Sequence, residues 1–131
     1  MNMKMTLIVT LLSCSLTLHA FPTQPKKCPD TDKIAAAGLS KDIIEKDFNG
    51  QWIVIMPHDD YKTANSWSFV ISKINAADRE EAYSKAITSL STLVFDEGPY
   101  KVSHMKKWGC RYHTSENYLG VTVTPDLQGM P

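Results

Sequence analysis

The stretch from Lys101 to His113 carries the densest chemistry in the chain: His104, Met105, Lys106, Lys107, Trp108, Arg111, Tyr112 and His113. Histidine, methionine and tyrosine can each be an axial ligand of haem iron. Lysine and arginine hold carboxylates, such as propionates, by charge-assisted hydrogen bonds. A plainer arrangement uses the same residues: a solvent-facing loop, then a strand whose polar face carries Arg111 and His113. There is no Cys-x-x-Cys-His, which excludes covalent c-type attachment.

His58-Asp59-Asp60-Tyr61 is a second group, of types that suit divalent metals. Four adjacent loop residues rarely converge on one ion, so a solvated turn is expected there and no metal site. Trp52, Trp67 and Trp108 could line an apolar ligand site, but aromatics on strands are expected in the core. No Gly-x-Ser-x-Gly elbow and no phosphate-cradling glycine loop occurs. Glu80 and Glu81 are helix neighbours and face different directions, so they fail as paired acids. A non-enzymatic protein is expected.

Where these residues work is set by the first twenty. Lys4 is followed by an uncharged run from Met5 to Leu18, then His19-Ala20 and Phe21-Pro22. That is the order of a cleaved secretory signal over 1–20, with export to the periplasm or the medium. The run is too short to span a bilayer, and no transmembrane segment is expected. Leu11-Leu12-Ser13-Cys14 resembles a lipobox, which keeps a lipid anchor on Cys14 as the rival reading. Cys28 and Cys110 remain after the signal, an even number in an oxidising compartment, and read as one disulfide. Its loop of about 80 residues contributes roughly 4–5 kcal/mol in the chain-entropy account. The whole chain has 14 basic and 14 acidic side chains. That balance argues against nucleic acid as a partner. An unknown small molecule or a protein remains, with a monomer the plain oligomeric expectation.

Residues 21–27 (FPTQPKK) are expected to be a disordered lead-in, 28–125 one domain and 126–131 a loose tail. Asp30 or Thr31 opens a short helix that Gly38 ends. Ser40–Phe48 is ambiguous between strand and helix. Asn49-Gly50 marks a turn, and Gln51–Met56 a strand stopped by Pro57. Ser66–Ile74 is a second strand. Asp78–Val94 is the long amphipathic helix, capped by Asp78 and broken by Asp96-Glu97-Gly98-Pro99. Tyr100–Lys106 is a basic connector. Lys107–His113 and Tyr118–Thr124 complete a sheet of about four strands. Trp108, Cys110 and Tyr112 share one face of the third. The expected class is α+β: an antiparallel sheet under one long helix and one short N-terminal helix.

The Cys28-Pro29 start, Trp52, Trp67-Ser68-Phe69, the Ala82 helix, Trp108-Gly109-Cys110-Arg111-Tyr112 and the Val123-Thr124-Pro125 finish resemble a known family. It consists of small exported proteins of unknown function, found mainly in Legionella species, some labelled haemin-binding protein. The likeness covers Cys28 to about Pro125. It implies a Gram-negative exported protein and makes haem a candidate ligand. No family motif of haem ligands maps onto positions here; with haem as the ligand, residue chemistry alone would have His104, Tyr112 or His113 ligate iron, with Lys106 or Arg111 near the propionates. The alternative is a secreted protein-interaction module, an inhibitor or host-directed factor, with no small-molecule ligand.

Overall fold

The computed structural model describes residues 21–128. The secretory signal expected over 1–20, with Cys14, and the final residues 129–131 lie outside them. Helix α1 (Thr31–Ala37) is followed by β1 (Ile44–Lys46), β2 (Trp52–Asp59) and β3 (Trp67–Ile74). Helix α2 (Arg79–Ser89) leads through a 3₁₀ turn to β4 (Val94–Val102), β5 (Lys107–His113) and β6 (Leu119–Thr124). The strands form one sheet in the order β1-β2-β3-β6-β5-β4, with every neighbour antiparallel. The α+β class holds, but the sheet has six strands where about four were expected.

Both additional strands lie at edges. Ile44–Lys46, ambiguous by pattern, pairs with β2. The other, β4, contains the residues expected to break a helix and connect onward. It pairs with β5 despite Gly98-Pro99, by shifting register on both sides of Glu97. Bulges let an edge strand carry residues that a central strand rejects. The same holds at Pro57, which does not end β2: the strand continues to Asp59 through a register shift after Met56.

The long helix is shorter than its apolar stripe suggests. Asp78 caps it as expected, accepting from Glu81 N–H at 2.9 Å. At the other end Ser89 Oγ donates to Ala86 O and Thr92 Oγ1 to Ser89 O, each at 2.7 Å. Such hydroxyls compete with the backbone for carbonyls. The last turn therefore tightens over Leu90–Thr92, and Val94, counted in the stripe, is an exposed strand residue.

One face of the sheet carries Trp52, Val54, Phe69, Ile71, Cys110, Tyr112 and Thr122, and all of these are buried. Helix α2 lies over the β1–β3 half of that face with Ala82 and Ala86 fully buried. Small side chains there permit close approach. The N-terminal segment and α1 serve the other half. Cys28 is bonded to Cys110, and Tyr112 Oη donates to Pro29 O at 2.6 Å. Residues 21–27 form no helix or strand. They lie against the domain, with Pro25 buried and Pro22 O accepting from Trp108 Nε1 at 2.9 Å. All three tryptophans are buried, as core residues should be, and each indole N–H is bonded.

Candidate functional site

Strand alternation divides the residues of Lys107–His113 between two environments. Tyr112 points inward, fully buried, its hydroxyl engaged by Pro29. Burial raises its pKa above the usual tyrosine value, offset in part by the Thr122 hydroxyl and reinforced by Asp30. Arg111 and His113 stand on the opposite, open face. His104 and Lys106 sit in and just after the exposed turn Ser103–Met105, at the far end of β5 from His113. Lys106 and His113 lie seven positions apart along extended chain, about 23 Å. Of the five residues named from sequence as possible ligand contacts, the fold thus brings together only Arg111 and His113.

What joins them comes from β4. His113 Nδ1 meets Asp96 Oδ1 at 2.7 Å, and Arg111 NH2 meets Glu97 Oε1 at 3.0 Å. A carboxylate only accepts, so Nδ1 is the donor in this contact, and Nε2 is the ring nitrogen left for another partner. The His113 side chain is 46 % exposed and that of Asp96 27 %. Tyr100 completes the group. A Cβ on Gly109 would stand 2.9 Å from its ring, so the ring lies against that glycine. Burial raises the Tyr100 pKa, with Arg111 opposing and Glu97 adding to the shift.

Sequence reasoning missed Asp96, Glu97 and Tyr100 as site residues, because they were read as breaker and connector. The available signal was weak: two acidic residues ahead of a strand whose polar face holds Arg111 and His113.

An apolar stripe continues from this group across the open face. Register links Arg111 to Val121, Val121 to Val70 and Val70 to Ile55. His113 pairs with Leu119. Three strand spacings separate Arg111 from Ile55, about 14 Å. Val70, Leu119 and Val121 are half-buried, Ile55 more so. The valines of β6 thus lie on the open face and its threonines on the core face.

A histidine that ligates a metal usually donates its other ring nitrogen to a carboxylate or carbonyl, which fixes the tautomer and raises ligand basicity. Asp96–His113 has that form, so His113 would be the residue to hold a haem iron if haem binds here, and Arg111 beside it would hold a propionate. The group would supply its iron as the coordinating centre. Lys106 and Tyr112 do not reach this location.

The other candidate group resolves into a turn. Asp59 Oδ1 accepts from Tyr61 N–H at 2.8 Å and Asp60 Oδ1 from Lys62 N–H at 2.9 Å. Tyr61 and Lys62 adopt positive φ, of 48° and 60°. The carboxylates are spent on backbone, and among the described residues no three His, Cys, Asp or Glu side chains group as metal ligands.

No family model, curated protein or solved structure matches this chain. The Cys28–Cys110 disulfide belongs to an oxidising compartment. No helix among the described residues is long and apolar enough to cross a membrane.

Proposed function

We propose that this chain is a non-enzymatic exported binding protein, periplasmic or secreted, that takes a planar apolar ligand of the haem class on the open face of its sheet. The Asp96–His113 contact carries the reading. It leaves Nε2 of His113 free to bind iron at the edge of an apolar stripe. Arg111 stands two residues away on the same face, able to leave Glu97 for a propionate. Cys14 as a lipid anchor is the minor alternative to release.

Titration of the oxidised protein with haemin tests the proposal. A shifted Soret band is expected, lost in His113→Ala and retained in His104→Ala. An unshifted band, or a shift that survives His113→Ala, overturns it.

A second reading rests on Phe48. Its side chain is fully exposed at the tip of the β1–β2 turn. The turn is held firmly: Asp47 Oδ1 accepts from Asn49 N–H at 2.8 Å and Gln51 N–H at 3.0 Å. A fixed, solvated aromatic is suited to a pocket on another protein. This interaction module expects a flat haemin titration.

A further inference from the structure

The N-terminal segment docks with a pattern of its own. Pro25 and Cys28 are buried and Pro22 is half-buried, while Thr23, Gln24, Lys26 and Lys27 are exposed. Every third residue thus turns inward, in a stretch that forms no helix or strand. Three residues per turn is the repeat of polyproline II. Pro22-Thr23-Gln24-Pro25 has the Pro-x-x-Pro spacing that puts both prolines on one side of such a helix.

The seat is aromatic. Trp108 Nε1 donates to Pro22 O at 2.9 Å, and the Phe21 ring stands edge-on to the indole with centroids 5.5 Å apart. Lys101 Nζ lies 5.1 Å from the centre of the Phe21 ring and 5.9 Å from that of Trp108. Lys101 and Trp108 are register partners on β4 and β5. Proline-rich peptides dock on other proteins in aromatic-lined grooves of this kind. None of these contacts depends on the covalent link. Only Lys26 and Lys27 separate Pro25 from Cys28, which the disulfide holds. A cleft of about 420 Å³ separates the segment from the β2–β3 loop at Thr63, Ala64 and Asn65. The segment can therefore lift away without breaking any strand pairing.

We propose that Trp108 and Lys101 form a binding site for an extended Phe-Pro-x-x-Pro peptide carried by another protein, and that residues 21–25 occupy it as a built-in competitor. A short tether gives the segment an effective concentration of roughly millimolar, which a partner must exceed or outbind. Trp108 is on the core face of β5, opposite Arg111 and His113, so the site does not depend on a ligand of the open face.

Phe21→Ala/Pro25→Ala in the oxidised protein removes the two side chains that fasten the segment, and the Trp108 indole N–H reports its release by NMR. That resonance should move and exchange faster with solvent, while the Trp52 indole, bonded to Ala76 O, stays unchanged. Added Phe-Pro-Thr-Gln-Pro peptide should return the Trp108 resonance saturably toward its parent position. The same peptide with alanine in place of phenylalanine should not, and the parent protein should need more peptide to respond. Adding Lys101→Gln should weaken the peptide about threefold, the scale of one exposed cation–π contact. A Trp108 resonance that the double substitution leaves unmoved, or that the peptide does not restore, overturns the proposal. A concentration-dependent dimer of the parent also overturns it, by giving the seat to the segment of a second copy.

Discussion

Gly98 rests directly against Cys28: a Cβ built on Gly98 would stand 2.8 Å from Cys28 Sγ. It would also stand 2.8 Å from Cys110 Cα and 2.9 Å from Gly109 O. The backbone there has φ of 136°, a region glycine alone occupies readily. Edge strand β4 can therefore pass over the disulfide only with glycine at this position.

Gly98→Ala should accordingly destabilise the fold by about 2–4 kcal/mol, combining backbone strain with overpacking against main-chain atoms. Gly50 is the control. Its φ is 78°, but nothing lies within 4 Å of an added Cβ. Gly50→Ala should cost about 1 kcal/mol, the conformational part alone. Urea denaturation of the two variants measures the difference, and equal losses would show that contact with the disulfide contributes nothing.

Reduction should cost more than either glycine change. The bond closes a separation of 82 residues and fastens the N-terminal segment to a central part of the core face. The chain-entropy account gives about 4–5 kcal/mol for a loop of this size. Paired denaturation curves with and without reductant, repeated on Cys28→Ser/Cys110→Ser, check it. The reduced protein and the double variant should unfold at similar urea concentrations.

The buried tyrosines predict a loss of stability in alkali. Burial raises the folded-state pKa of Tyr61 and Tyr112 above 10, the ordinary tyrosine value. Above that pH the unfolded chain releases these protons while the folded chain keeps them, so the unfolded state is favoured as pH rises. Each tyrosine held protonated contributes a loss of ~1.4 kcal/mol per pH unit until its folded pKa is reached. Phenolate absorbance should show two of the five tyrosines ionising only as the protein unfolds. Tyr61→Phe should make the alkaline loss shallower.

Legibility from sequence followed the strength of local signals. Trp67, Phe69 and Ile71 share a buried face, as do Trp108, Cys110 and Tyr112, and both groupings were readable, with strand ranges right to within one residue. The disulfide followed from cysteine parity and compartment. Edge strands were not readable, because pairing on one side alone tolerates Gly98, Pro99 and three-residue lengths that local pattern assigns to loops. The helix end was hidden for a different reason. Ser89, Ser91 and Thr92 fit a helical stripe by spacing while their hydroxyls draw the carbonyls away from it. The candidate site was half readable. Arg111 and His113 share a face by alternation, but Asp96 and Glu97 reach them only through the bulged register of β4.

Asp96 provides the sharpest check on the proposed ligand site, since it would act on haem only through His113. Asp96→Asn keeps the size of the side chain and exchanges the acceptor-only carboxylate for an amide. The amide can still accept through its oxygen, but it no longer fixes the imidazole tautomer or raises its basicity. Haemin affinity should therefore fall 10- to 100-fold, the usual range for loss of such an outer partner. Stability should change by less than about 1 kcal/mol, because the pair is surface-exposed. Arg111→Gln should weaken haemin binding less, and removing the propionates from the porphyrin should abolish the difference between it and the parent protein. Soret titrations of the three proteins decide the matter. Equal affinities for Asp96→Asn and the parent would mean that His113 does not use this contact to hold iron.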